Sequence, residues 1–359
     1  MHVVLAGGGT AGHIEPALNT ADALRARDCA ISLSVLGTEK GLETTLVPAR
    51  GYQLTLIDPV PLPRRINKDL LSLPMRLKRA ISQVAHHLNE TNADVVVGFG
   101  GYVALPAYLA CRKLGVPFIV HEANAKPGLA NRIGARFASA VVETVSGSFS
   151  GALHYGLPLR HAIRTFNKMS ARSAGREIWS LDTSRPTLLV FGGSQGSRKI
   201  NDVIAQAAPT LTAQGWNILH SVGSRNLDHI QKTNPHYVTV PYIDRMDFAY
   251  GVADVALCRS GAMTVAELSA VGLPAIYVPL PIGNGEQRLN ALEVVAAGGG
   301  VIVEDEKLTA ELVLEQLRLW NAVGLEQLSA AARSVSHAED IEQFVSLILQ
   351  TALKKEHRA

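Results

Sequence analysis

The sequence predicts an α/β protein of two domains, each built on a parallel sheet, and three observations carry that prediction. Short, continuously apolar runs alternate with helix-length periodic stretches. The alternation restarts near the middle of the chain. Each half opens on a strand that runs straight into a glycine-rich turn. Unbroken apolar runs suit parallel strands covered on both faces, and strand–helix alternation is the mark of βαβ units.

In the first half, residues 3–6, 31–36, 95–97 and 118–120 read as strands. Between the first two, residues 16–27 place Ala17, Leu18, Ala21 and Leu24 on one helical face, which completes a βαβ unit. The second half reads as strands at 188–191, 217–221, 237–240, 255–258 and 275–278, separated by helices at 199–208, 263–271 and 287–297. Residues 156–184 lose the strand signal and turn polar, so the linker is expected near 160–165, with domains at 1–163 and 164–337. Both halves open alike: Val4-Leu5-Ala6-Gly7-Gly8-Gly9-Thr10-Ala11-Gly12 parallels Leu189-Val190-Phe191-Gly192-Gly193-Ser194-Gln195-Gly196. Two Rossmann-like domains follow. Open parallel sheets bind ligands at the carboxyl ends of their strands, so two of them face to face would make a deep cleft.

Bulk properties narrow the class. The 359 residues are 47% hydrophobic and 18% charged, enough for a sizeable core and against disorder. A net charge of +3 is too mild for a nucleic-acid binder. Cys29, Cys111 and Cys258 are far apart with no CxxC spacing, which fits a reducing compartment without disulfides or zinc. The first seven residues have no basic stretch before a short apolar run, so they read as a strand rather than a signal peptide. The longest apolar stretch, 270–283, contains Pro274, Pro279 and Pro281 and makes a poor spanning helix. A soluble protein able to touch a membrane surface is expected.

Several motifs compete. Gly7-x-Gly9-x-x-Gly12 matches the dinucleotide fingerprint, with Glu39 as ribose acid, but leaves the second glycine turn idle. Gly192-x-Ser194-x-Gly196 matches the nucleophile elbow, with His220, His229, His236 and His337 as available partners, but leaves His13 idle. His121-Glu122-Ala123-Asn124-Ala125 begins like HExxH and lacks the second histidine, and no other metal cluster is evident. A third glycine run, Gly98-Phe99-Gly100-Gly101, follows the strand at 95. Glycines let backbone N–H groups approach an anion, and a following helix adds partial positive charge. The same residues also answer the steric demands of a tight turn. Three such runs in one chain favour a phosphate or sugar site.

With these motifs in place, the chain resembles the peptidoglycan N-acetylglucosaminyltransferases of glycosyltransferase family 28 nearly end to end. The resemblance rests on Gly8-Gly9-Thr10-Ala11-Gly12-His13, Gly98-Phe99-Gly100-Gly101-Tyr102, His121-Glu122-Ala123-Asn124, Gly156-Leu157-Pro158-Leu159-Arg160 and Gly192-Gly193-Ser194-Gln195-Gly196. It continues through Cys258-Arg259-Ser260-Gly261-Ala262-Met263-Thr264-Val265-Ala266-Glu267 and Gln287-Arg288-Leu289-Asn290-Ala291. It implies the GT-B fold, with a closing helix at 338–359 that completes the first domain. It implies transfer of N-acetylglucosamine from UDP-GlcNAc to the muramoyl sugar of lipid I, giving lipid II with inversion, without a metal or other cofactor. A peripheral place on the cytoplasmic face of the bacterial plasma membrane is implied too, with cell-wall or division proteins as further partners.

The resemblance also suggests roles. His13 is the candidate base, with an ordinary pKa of about 6.5; a helix cap or phosphate contact is the competing reading. Ser194, with Gly193, Gln195 and Gly196, is expected to cradle the pyrophosphate. Glu267 is expected to accept from the ribose diol. Ile243 matches the position whose backbone meets the uracil, and Gln287 and Asn290 offer amides to sugar hydroxyls. Thr10, Ala11, Gly12, Asn124 and Arg160 match donor contacts of the first domain and hinge, though Arg160 also suits a linker salt bridge. Ala262, Met263, Thr264, Val265 and Ala266 match contacts leading to Glu267. Many family members have glycine where this chain has Ala11, which would be strained if that position needs positive φ.

Residues 63–84 carry Arg64, Arg65, Lys68, Arg76, Lys78 and Arg79, with Leu70, Leu73, Leu77, Ile81 and Val84 at helical spacing. Alone, the pattern suits an amphipathic helix packed on its own sheet. The polyprenyl acceptor that the resemblance implies makes an interfacial patch the expectation, with apolar residues in lipid and basic residues on anionic headgroups. Three rivals stay open: a UDP-GlcNAc 2-epimerase, for which the loops are poor in acid/base carboxylates; a non-catalytic UDP-sugar-binding subunit; and a serine hydrolase built on Ser194.

Overall fold

Val3, Val4, Leu5 and Ala6 are wholly buried, as a strand covered on both faces must be. In the computed structural model they form β1 (His2–Gly7), flanked by two parallel neighbours. The structure describes residues 1–60, 69–193, 195–226, 234–281 and 285–356, without the side chains of 69–72, 355 and 356. Arg64, Arg65, Lys68 and Ser194 lie outside the described residues, as does the side chain of Leu70.

The chain divides into two units, Met1–His161 with Ala338–Ala359, and Ala162–His337. The first continues through α1 (Ala11–Arg27), β2 (Ser32–Gly37), α2 (Glu43–Ala49), β3 (Gln53–Leu56), α3 (Asp69–Glu90), β4 (Val95–Gly100) and α4 (Ala104–Leu114). It goes on with β5 (Phe118–Glu122), α5 (Leu129–Gly134), β6 (Ala140–Glu143) and β7 (Leu153–His154). All seven strands pair in parallel in the order β3-β2-β1-β4-β5-β6-β7.

The stretch expected to be linker contains two helices, α6 (His161–Arg164) and α7 (Lys168–Trp179). The Asn167 side chain caps α7 by accepting from the Ser170 N–H at 3.0 Å. Gly175 of that helix packs so tightly that a Cβ there would lie 2.6 Å from Val252. The second unit then runs β8 (Thr187–Phe191), α8 (Arg198–Ala213), β9 (Asn217–Ser221), β10 (Tyr237–Val240), α9 (Met246–Val252) and β11 (Val255–Cys258). It closes with α10 (Ala262–Val271), β12 (Ala275–Tyr277), α11 (Glu286–Asn290), α12 (Leu292–Ala296), β13 (Gly300–Ile302), α13 (Ala310–Val323) and α14 (Leu325–Ser334). Its six strands are also all parallel, in the order β10-β9-β8-β11-β12-β13. The single helix expected at 287–297 is two short ones, broken at Ala291.

The last helix, α15 (Ile341–Glu356), returns to the first unit. Its Phe344, Val345 and Ile348 join Leu5, Ile14, Leu18 and Val97 in one core layer. Burying each such side chain is worth about 1.5–3 kcal/mol. On the opposite face of the sheet, Ala104, Ala107 and Tyr108 of α4 pack with Val84 and Leu88 of α3, and Leu77 and Ile81 lie against them. This corrects the lipid assignment: Leu77, Ile81 and Val84 cover their own sheet, because β1 and β4 need an apolar cover on that side. Lys78, Arg79 and Met75, which is 71% exposed, face solvent from α3, while Arg76 is half-buried.

His121 on β5 is wedged between the rings of Phe99 and Phe344, at centroid distances of 5.1 and 5.2 Å. Neither of its ring nitrogens has a hydrogen-bond partner, and burial pushes its pKa from 6.5 down to about 3. The ring is therefore neutral in the fold and gains a proton more easily once the chain unfolds. The stability this confers is complete above pH 6.5 and is lost as pH falls toward 3. Urea unfolding of the parent and of His121→Leu should show it. The parent should lose about 1.4 kcal/mol more than the variant between pH 7.5 and 5.5; equal losses would contradict a buried neutral imidazole.

Candidate active site

At the first glycine turn, Thr10 is the extended residue before α1, with φ −133°. Its carbonyl accepts from the N–H groups of His13 and Ile14 at 3.0 and 3.1 Å, and its hydroxyl lies 3.1 Å from His13 Nδ1. The imidazole also rests against Gly100, where a Cβ would meet Nε2 at 3.2 Å. Burial lowers the His13 pKa below its usual 6.5, and a smaller opposing influence comes from the backbone of Gly8. A neutral imidazole is the form that can take a proton. Ala11 and Gly12 lie in the first turn of α1. The strain considered for Ala11 does not arise, since positive φ falls on Gly9, and the only non-glycine residues with it among those described are Asn92 and Ser180.

The turn is held from below by a residue that the sequence reading missed. Glu43, fully buried at the start of α2, accepts from the Gly9 N–H at 3.2 Å and from the Thr38 N–H and hydroxyl at 2.8 and 2.9 Å. Glu39, the ribose acid of the dinucleotide reading, is exposed in the preceding turn. The glycines of the third run also have steric work. Gly98 and Gly100 belong to β4. A side chain at Gly98 would collide with Tyr108, and one at Gly101, where φ is +80°, would collide with the Gly8 carbonyl. These glycines seat Tyr108 and bring the end of β4 against the first turn.

Asn124 follows β5. Its N–H and side-chain amide both donate to Glu122 Oε1, at 3.0 and 3.3 Å. Glu122 Oε2 accepts from the Gly128 N–H at 3.1 Å and from Asn131 Nδ2 at 3.0 Å. Burial raises the Glu122 pKa, and those four donors pull it back. The HExx-like fragment is thus a loop clamp. Arg160 is half-buried at the edge of the first unit, next to α6.

In the second unit, β8 runs into Gly193, Gln195 and Gly196, and the Gly196 N–H donates to the Gly193 carbonyl at 3.0 Å. Ser197 then caps α8 by accepting from the Ile200 N–H. Arg259, at the end of β11, donates to Ser197 Oγ at 2.8 Å and pairs with Asp305 at 2.6 Å. It also donates to the carbonyls of Val278 and Pro279. It stitches three strand ends to the glycine turn, a role hidden in sequence by a separation of 62 residues.

Ala262, Met263, Thr264, Val265 and Ala266 form the opening of α10, behind Gly261, which has no side chain to cap it. Glu267, one turn on, is 3% exposed and accepts from the Tyr250 hydroxyl at 2.8 Å. Gln287 Oε1 accepts from the Leu280 N–H at 3.0 Å. Asn290 is buried; in the orientation that satisfies its amide, it accepts from the Ala262 N–H at 3.2 Å and donates to the Glu286 carbonyl at 3.1 Å. Ile243, 3% exposed after β10, puts its side chain in the core. Among the described residues, no group of three or more His, Cys, Asp or Glu is placed to hold a metal ion.

Residues 3–143 match the glycosyltransferase family 28 N-terminal domain, and residues 187–345 match the family's C-terminal domain. The chain belongs to glycosyltransferase family 28. Full-length relatives agree. A Streptomyces avermitilis protein called UDP-N-acetylglucosamine–N-acetylmuramyl-(pentapeptide) pyrophosphoryl-undecaprenol N-acetylglucosamine transferase is 53% identical over 364 residues, covering 100% of both chains. One of the same name from Acidothermus cellulolyticus is 49% identical over 362 residues, covering 98% of each. The crystal structure of Acinetobacter baumannii MurG matches at a TM-score of 0.78 and 27% identity, over 97% of this chain and 99% of that one. The Streptomyces glycosyltransferase SsfS6, solved with thymidine diphosphate, matches at 0.66 and 17% identity, over 98% and 99%, which speaks for the fold alone. The two parallel-sheet units are those of a GT-B family 28 protein.

Glu43 offers a test of the first turn. Glu43→Ala should leave the Gly9 and Thr38 N–H groups without acceptors and lower stability by about 2–4 kcal/mol. Denaturant titration measures it, and a loss within 0.5 kcal/mol, the range of ordinary surface changes, would show that the carboxylate does not hold the turn.

Proposed function

We propose that this chain transfers N-acetylglucosamine from UDP-GlcNAc to the C4 hydroxyl of the muramoyl sugar of lipid I, with inversion, giving lipid II and UDP. The observation that carries the proposal is His13. In a chain related end to end to transferases of that name, it is a histidine set just after the first glycine turn and kept less basic than usual. Inversion in one displacement needs a base for the attacking hydroxyl, a positioned sugar and support for the departing diphosphate.

His13 takes the hydroxyl proton. The diphosphate is met by backbone N–H groups at Gly193–Gly196 and at the opening of α10, where the helix adds partial positive charge. Glu267 accepts from the ribose hydroxyls, and the backbone of Ile243 addresses the uracil. Gln287 and Asn290 serve the sugar side, with Thr10, Ala11, Gly12, Asn124 and Arg160 as first-unit contacts. No metal takes part, so turnover should be the same with and without a chelator. Disaccharide formation from labelled UDP-GlcNAc and a lipid I analogue is the test of the reaction itself.

His13→Ala should lower kcat at least a hundredfold, the low end of general-base catalysis, while UDP affinity by calorimetry stays within twofold. Because its pKa is lowered, the base stays neutral until the pH drops below 6.5. The acid limb of kcat should therefore lie below pH 6.5 and vanish in the variant. A limb at or above 6.5 would point to another base.

The protein is further proposed to work at the cytoplasmic face of the plasma membrane. No helix among the described residues is long and apolar enough to cross a bilayer, and the exposed Lys78 and Arg79 of α3 suit anionic headgroups. Arg79 also pairs with Asp58 at 3.2 Å. Reversing Arg76, Lys78 and Arg79 to Glu should abolish sedimentation with anionic vesicles; binding equal to the parent would remove the patch.

A further inference from the structure

Tyr250 lies on α9, 17 residues from Glu267 in sequence, and its hydroxyl donates to Glu267 Oε2 at 2.8 Å. Only 2% of it is exposed. Its ring packs at 6.5 Å, centroid to centroid, from Phe191 at the end of β8, the strand that leads into the second glycine turn. The ring therefore lies between the end of β8 and the Glu267 carboxylate on α10.

Glu267 needs such a partner for a geometric reason. Rotation of a carboxylate about its last bond is soft and roughly two-fold. A diol gives two donors whose spacing and plane are fixed, so it binds well only to a carboxylate held in one plane. A hydroxyl fixed on Oε2 sets that plane and uses one of about four acceptor positions. It also supplies a donor to a carboxylate that is almost wholly out of water.

We propose that Tyr250 is a positioning residue that orients the Glu267 carboxylate toward the ribose hydroxyls, and so contributes to selection of a ribonucleotide over a 2′-deoxyribonucleotide donor. The assignment rests on the reading of Glu267 as the ribose acceptor. Tyr250 itself touches no substrate in this account.

The test is calorimetric binding of UDP and of 2′-deoxy-UDP to the parent protein, to Tyr250→Phe and to Glu267→Ala. Tyr250→Phe keeps the packed ring and removes only the hydroxyl. Its affinity for UDP should fall about tenfold, the scale of one hydrogen bond to a charged group. Its affinity for 2′-deoxy-UDP, which keeps only the 3′-hydroxyl for Glu267, should fall less, so the preference for the ribonucleotide narrows. Any unfolded fraction weakens both ligands alike and cancels in their ratio. If both affinities fall by the same factor, so that the preference is unchanged, Tyr250 is only a structural support and the proposal is overturned. If Glu267→Ala loses the ribose preference while Tyr250→Phe keeps it, the positioning role alone fails. If Glu267→Ala keeps the full preference, the ribose reading of Glu267 fails, and the proposal with it.

Discussion

A backbone N–H aimed out of a strand-to-helix turn has no partner in the sheet it leaves and none in the helix it enters, and burial makes that vacancy expensive. The carboxyl ends of both parallel sheets are organised around this need for acceptors. In the first unit the chain answers it largely with its own carboxylates. Glu43 takes the Gly9 and Thr38 donors, and Glu122 takes those of Asn124, Gly128 and Asn131. The result is a rigid platform from which Thr10 and His13 project. In the second unit Gly261 cannot cap α10 itself, and Asn290 reaches over to take the Ala262 N–H, which leaves the other N–H groups of that first turn for the proposed diphosphate. Similar glycine turns are thus tied down differently. The first is held by Glu43 beneath Gly9, the second by the Gly196–Gly193 bond and by Ser197, which caps α8 and takes a bond from Arg259.

That contrast explains which parts were legible in sequence. Strands buried on both faces give continuous apolar runs, so β1, β8 and β11 could be read to within a residue or so; the half-buried edge strand β10 was read from its β-branched Val and Thr residues. β3, β6 and β13 are short and at least partly half-buried, so their residues carry no strong pattern. α7 buries only Ala171 and Gly175, and its polar remainder looks like linker. His13 and Glu267 stood out because glycine motifs flank them. Glu43, Arg259 and Tyr250 did not, since their partners lie 34, 62 and 17 residues away. Spacing records local geometry, and these contacts exist only once the sheet has formed.

The α3 helix shows how one pattern serves two demands. Its apolar spacing reads equally well as a lipid-facing or a sheet-facing stripe. The sheet takes priority, because a parallel sheet left bare on one face could not hold β1 and β4 in a dry core. Leu77, Ile81 and Val84 go inward, and the charges of Lys78 and Arg79 remain outside. Among the described residues of α3, any attraction to anionic headgroups from Lys78 and Arg79 should weaken as salt rises.

In the proposed base role, the lowered basicity of His13 has a cost and a benefit. A weaker base pulls less strongly on the acceptor proton, which slows transfer for a given geometry. Near pH 6.5, where an ordinary imidazole is half charged, more of it is neutral and able to take a proton. The balance favours neutrality when the leaving group departs with its charge already stabilised, because the acceptor hydroxyl becomes more acidic as its bond to the sugar forms and needs only a modest base late in the reaction. In the proposed reaction, fixed N–H donors for the diphosphate and a modest base for the hydroxyl are therefore matched choices: strengthening the first removes the need for a stronger second.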